Sequence, residues 1–263
     1  MPDDPWQHLR QLTPARIALG RAGGSLPTAE VLRFAADHAA ARDAVHAELD
    51  VEQLKRDVGA CGLDVAEVTT RAADRAAYLK HPDLGRQLSP ESERALASVG
   101  ERTAGCDVAL VAADGLSALA CQRQVPPVLA ALVPLLRAAG LTLAPLVVAR
   151  QARVAVQDRV GAALRARASV VLIGERPGLG TADSLGAYLV FDPRPGRTDA
   201  DRNCVSNIRP AGLPPAAAAD AIHYLVTQAL ARRISGVELK DDRLLTTVSA
   251  QSVTPIPGRS TPP

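Results

Sequence analysis

Asp107-Val108-Ala109-Leu110-Val111-Ala112-Ala113, closed by Asp114-Gly115-Leu116-Ser117, is the stretch that decides the fold. An apolar run of this length, ended by turn residues, reads as a strand buried on both faces. Working forward, a helix is expected over about residues 127–139, ended by Gly140, and a second strand over 143–148. A helix around residues 157–167 then leads into a third strand, Ser169-Val170-Val171-Leu172-Ile173. Ala187-Tyr188-Leu189-Val190-Phe191 reads as a fourth. Alternation of this kind predicts an α/β fold: an open, mostly parallel, Rossmann-like sheet flanked by helices, with right-handed crossovers. Pro214-Pro215 opens a long Ala-rich helix to about Arg233, and residues 243–263 form a polar, Pro-rich tail expected to be disordered.

Working backward, residues 1–100 read as a mostly helical region. Gly20-Arg21-Ala22-Gly23-Gly24-Ser25-Leu26-Pro27 is a loop, after which Thr28 suits an N-cap and Glu30 the first turn of a helix to about Leu49. Further helical segments are expected at 51–61 and 64–78. Ser89-Pro90-Glu91-Ser92-Glu93 has the Pro and acids of a helix start. The expected division is therefore a helical region over 1–100, suited to subunit contacts, and an α/β domain over 101–242.

Composition narrows the partners. The 263 residues are 47% hydrophobic and 2% aromatic, with a net charge of +2. With charge so balanced and few rings for base stacking, nucleic acid is not an expected partner. Cys61, Cys106, Cys121 and Cys204 form no metal knuckle, and no His stands at ligand spacing from them, so no metal site is expected. A reduced, intracellular protein is the expectation. The Met1-Pro2-Asp3-Asp4 start is acidic and polar, unlike a signal peptide. The apolar stretch 125–149 is interrupted by Pro126, Pro127, Pro134, Arg137 and Pro145, which suits a buried helix and strand better than a membrane span.

In an open α/β sheet, ligands collect beyond the carboxyl ends of the strands. That rule selects the loops 114–117, 150–156, 175–181 and 192–207. Glu175-Arg176-Pro177-Gly178-Leu179-Gly180 is the most distinctive, with charges directly after an apolar strand and glycines that allow close backbone approach. It lacks the P-loop Lys and does not fit GxGxxG. No activated nucleophile, base with an orienting partner or metal cluster is visible, so no catalytic residue is assigned to this chain.

Several runs together carry a resemblance. Thr13-Pro14-Ala15-Arg16-Ile17, Tyr78-Leu79-Lys80-His81-Pro82-Asp83-Leu84-Gly85-Arg86, Gly174-Glu175-Arg176-Pro177-Gly178-Leu179-Gly180 and Cys204-Val205-Ser206-Asn207-Ile208 stand in an order that resembles the small subunit of adenosylcobalamin-dependent ethanolamine ammonia-lyase. The resemblance spans about residues 13–240. It implies a large partner subunit that holds ethanolamine and does most of the catalysis, with adenosylcobalamin at the interface, and conversion of ethanolamine to acetaldehyde and ammonia. It implies cobalamin contacts at Val154, Glu175 and Cys204, with Glu175 accepting hydrogen bonds from corrin amides. It also implies the bacterial cytoplasm, or a microcompartment lumen where the organism makes one. Without the resemblance, Glu175 and Arg176 fit a solvated loop pair, Cys204 an inert thiol, Asp114-Gly115 a strand-ending turn, and Val154 carries no signal. A non-catalytic assembly subunit that does not touch the cofactor is the alternative.

Overall fold

The structure, a computed structural model, describes residue 4, residues 6–13 and residues 15–243. Its centre is strand β2, Cys106–Ala113. Parallel strands flank it: β3 (Leu146–Arg150) on one side and β4 (Ala166–Gly174) on the other. Beyond β3 lies β1 (Val65–Thr69), also parallel, while β5 (Leu185–Phe191) and β6 (Arg202–Ile208) continue the sheet antiparallel past β4. The order across this mostly parallel six-stranded sheet is β1-β3-β2-β4-β5-β6.

The pleat sorts the apolar run of β2 into two layers. Val108, Leu110 and Ala112 join a core with helices α2 (Val51–Val58), α5 (Ala118–Ala138) and α7 (Pro215–Arg232). Ala109, Val111 and Ala113 face the opposite core, with α4 (Pro90–Arg102) and α6 (Val156–Ala163). Each large aliphatic side chain buried this way contributes roughly 1.5–3 kcal/mol, which is why both faces of the strand must be apolar. The chain passes from β1 to β2 and from β3 to β4 over the α4/α6 face. It returns from β2 to β3 over the α5 face. Steps in opposite directions thus use opposite faces, and the three crossovers share one hand.

Several expected elements differ. Residues 64–78 are not one helix: they hold β1 and the beginning of the short α3 (Arg75–Lys80). Ala66 and Val68 face the α4/α6 core while Val65 faces the other, and pairing with β3 satisfies the backbone better than a short isolated helix would. The sheet therefore draws a strand from the first hundred residues. β5 runs antiparallel because only residues 175–184 separate it from β4, too few for a helical crossover. β6 occupies a segment expected to be loop.

Helix α5 begins at Ala118 rather than near Pro127, capped by Ser117, whose Oγ accepts the Ala120 N–H at 3.1 Å. Pro126, Pro127 and Pro134 lie within it, each removing a backbone donor. Packing of Cys121, Val125, Leu129, Leu132 and Leu136 into the core holds the helix through them. By length and composition α5 alone among the described helices is apolar enough to cross a membrane, and half of it is buried inside the protein.

The long N-terminal helix α1 (Thr28–His46) is preceded by Pro27 at the cap position, so Thr28 is its first residue and not its cap. Of its side chains only Ala44 is buried, and Val31, Leu32 and Phe34 are exposed. The Pro-rich tail from residue 244 onward lies outside the described residues.

Candidate functional site

The site is assembled where β2, β3 and β4 end. Asp114, directly after β2, turns its carboxylate sideways: Oδ2 accepts the Gln151 N–H at 2.9 Å and Oδ1 the Ala152 N–H at 3.2 Å. Burial pushes its carboxyl up from the usual range, against the pull of these donors and of Arg75 3.7 Å away. The strand-ending turn is thus also a clamp on the loop after β3, the loop that carries Val154.

A second clamp joins β2 to β4 through bare backbone. Gly115 has φ +54°, and a Cβ there would stand 2.2 Å from the Gly174 carbonyl oxygen. A Cβ on Gly174 would stand 2.0 Å from the Ser117 carbonyl oxygen. Neither position admits a side chain, and the close approach lets the Leu116 N–H donate to the Gly174 oxygen at 2.9 Å. Ser117 Oγ then donates to the Ala182 oxygen at 2.7 Å, tying down the far end of the loop that begins with Glu175.

Glu175 is held on both sides. Its N–H donates to the Ser184 oxygen at 2.9 Å, and the Ser184 hydroxyl donates to its Oε2 at 2.5 Å. The Asn207 N–H approaches the same oxygen at 3.4 Å. The carboxylate is therefore a fixed acceptor at the rim and not a freely solvated loop charge. Arg176 beside it is exposed.

Cys204 does not lie on a loop. It sits within β6, directly opposite Tyr188 of β5, and is exposed. Burial raises its thiol, and the Glu175 charge adds to this while the Tyr188 hydroxyl works against it. Tyr188 is raised as well, by burial first and by Cys204 next. A thiol so shifted stays protonated near neutrality and is a poor nucleophile. Val154 is half-buried in the turn that leads into α6, packed against the α4/α6 core.

These residues surround two adjoining clefts. The first, about 400 Å³, is lined by Leu116, Val154, Ile173, Glu175 and Tyr188 among others. The second, about 520 Å³, is lined by Pro82, Arg86, Val154, Tyr188 and Cys204 among others. Val154, Tyr188 and Arg153 belong to both. The three expected contact positions thus share one concave surface, Glu175 at one end, Cys204 at the other and Val154 on the ridge between them.

Residue reading missed Arg153 and Tyr78. The Arg153 guanidinium carbon stands 4.2 Å from the Tyr78 ring centroid and that of Arg75 4.7 Å. Tyr78 is fully buried, its hydroxyl donating to the Ala152 oxygen at 3.2 Å and its phenol pushed up to about 12 by burial. In the sequence Tyr78 stands out only as the first residue of a family-like run, and Arg153 only as a member of the loop 150–156. Tyr188 was legible as a strand residue but not as a wall of the site.

Two joined clefts at the carboxyl edge of an open sheet, with one fixed carboxylate at the rim, define an α/β protein with a candidate ligand surface. The ethanolamine ammonia-lyase light chain family model matches residues 3–240. Among curated proteins, the ethanolamine ammonia-lyase small subunit of Azotobacter vinelandii is 54% identical over 91% of this chain and 89% of its own length. That of Rhodopseudomonas palustris is 53% identical over 95% of both chains, and that of Bradyrhizobium diazoefficiens 54% identical over 92% of both. The chain belongs to the ethanolamine ammonia-lyase light chain family, and so to the subunits of a lyase.

Proposed function

We propose that this chain closes the cobalamin site of an ethanolamine ammonia-lyase, presenting its paired clefts to adenosylcobalamin held between it and a large subunit. The observation that carries the reading is the convergence of Val154, Glu175 and Cys204 on one concave surface at the carboxyl edge. The donor set suits a corrin, a broad apolar disc fringed with amides. Val154, Leu116, Ile173 and the Tyr188 ring supply apolar surface, and Glu175 supplies a fixed acceptor for an amide NH₂. The Nε of Arg153, buried without a partner, faces the same demand from the donor side.

When bound, adenosylcobalamin would supply the adenosyl radical that takes hydrogen from ethanolamine on the way to acetaldehyde and ammonia. This chain's part is to hold, orient and exclude water. Asp114 and Gly174 fix the loops, Glu175 sets the rim, and the protonated Cys204 lies against the ligand as a small neutral contact. The substrate and the catalytic groups belong to the large subunit. The site of action is the bacterial cytoplasm, or a microcompartment lumen in an organism that builds one.

Glu175→Ala tests the reading in the assembled two-chain complex. Loss of corrin from the complex during gel filtration, with both chains still co-eluting, is the expected result. Unchanged corrin affinity removes Glu175 from the site and favours an assembly subunit that does not touch the cofactor.

A further inference from the structure

We propose that Arg86 and Arg153 form an anion seat in the second cleft, which takes the phosphodiester of the ligand's nucleotide tail; this rests on the cobalamin reading above.

Four guanidinium groups line that cleft, those of Arg86, Arg153, Arg197 and Arg202. Two are already matched. Arg202 is paired with Asp158 at 2.5 Å and Asp199 at 3.2 Å, and Arg197 with Asp192 at 3.0 Å and Asp201 at 3.3 Å. Arg86 and Arg153 have no carboxylate partner among the described residues. Arg153 spends one Nη on the Tyr78 carbonyl at 3.3 Å, and its buried Nε has no partner at all. Asp199, the one acid lining the cleft, is committed to Arg202.

The two unmatched arginines are brought together by construction. Buried Gly85 precedes Arg86, and its carbonyl accepts the Arg153 N–H at 2.8 Å. A Cβ at Gly85 would come within 2.9 Å of the Gln151 oxygen and 3.0 Å of Arg153 Cγ. The turn carrying Arg86 therefore docks directly on the strand exit carrying Arg153, and only a residue without a side chain permits it. Beside them α6 begins at Val156, and its N-cap residue Ala155 provides no side-chain cap. The first N–H groups of that helix donate to the Arg153, Val154 and Ala155 carbonyls, so the seat rests on the two arginines. Arg86 is exposed, so its planar guanidinium is open to a ligand beside that of Arg153, and two such groups without carboxylate partners select a phosphate over a neutral amide. The phosphodiester is the anionic side group of a cobalamin, so the seat orients the ligand's tail toward Arg86 and leaves Glu175 to its amide rim.

The test measures binding to the assembled two-chain complex by corrin absorbance, using adenosylcobinamide and adenosylcobinamide phosphate, which differ by the phosphate. In the wild type the phosphate is expected to strengthen binding about tenfold, the effect of one added charge-assisted pair. Arg86→Gln should erase that increment while leaving adenosylcobinamide itself unchanged, and Arg86→Lys should restore part of it. An equal increment in wild type and Arg86→Gln, or equal weakening of both ligands, overturns the proposal. Inorganic phosphate titrated into the full chain separates the two readings. Arg86-dependent phosphate binding without any corrin binding would sink the cofactor reading and keep the anion seat. Firm corrin binding with no Arg86-dependent phosphate effect would do the reverse.

Discussion

Replacing Asp114 with Ala removes the acceptor of two backbone N–H groups, those of Gln151 and Ala152, and the carboxylate 3.7 Å from Arg75. Hydrogen bonds to a charged group contribute about 1.5–3 kcal/mol each, so losing these two is expected to cost about 4 kcal/mol. Arg75 moderates the loss, because its Nε and Nη1 also donate to the Val45 and Gly115 oxygens at 2.6 and 2.8 Å. Asp114→Asn keeps one acceptor oxygen and escapes the desolvation of a charge, which limits its cost to about 2 kcal/mol. Urea unfolding of wild type and both variants measures the ordering. Since residues 151 and 152 lead directly to Arg153 and Val154, Asp114→Asn should also loosen corrin retention by the complex while the fold persists. A loss below about 1 kcal/mol in Asp114→Ala, or equal losses in the two variants, would refute the idea that this carboxylate clamps the β3 exit.

Gly174→Ala would force a methyl to within 2.0 Å of the Ser117 oxygen and 2.5 Å of the Asp114 oxygen, so a penalty of about 3 kcal/mol is expected by thermal or urea unfolding. A neutral variant would show that the β2 and β4 loops separate easily. Asp158 gives a pH signature, since burial pushes its carboxyl from 3.8 up to about 6 against the pull of Arg202. A folded-state value above the unfolded one means the folded protein binds the proton more tightly. The corresponding stability is complete below pH 3.8 and is lost as pH rises through about 6. Wild-type stability minus that of Asp158→Asn should therefore fall across this window and level off above it, and a difference that climbs with pH would reverse the assignment.

The parallel centre of the fold was legible because β2 and β4 are unbroken apolar runs, which only a strand covered on both faces requires. What escaped depended on pairing. Val65-Ala66-Glu67-Val68-Thr69 is too short and too mixed to declare itself, and becomes a strand only because β3 offers an open edge. Arg202-Asn203-Cys204-Val205-Ser206-Asn207-Ile208 is a polar edge strand whose burial alternates, with Arg202 buried against Asp158. For the candidate site, the place of Glu175 at the cleft rim was legible as a charge directly after an apolar strand, and Val154 and Cys204 were singled out only through the family resemblance. Arg153 was hidden as a cleft residue because its guanidinium is placed by the Tyr78 ring, 75 residues back toward the N-terminus. No local window contains both.

The central claim, that this chain completes a corrin site with a large partner, is tested most directly by gel filtration of the co-expressed chains with adenosylcobalamin, followed at protein and corrin absorbance. Co-elution of both chains with corrin, lost when this chain is omitted, is the expected result. Corrin carried equally well by the large chain alone would contradict the claim.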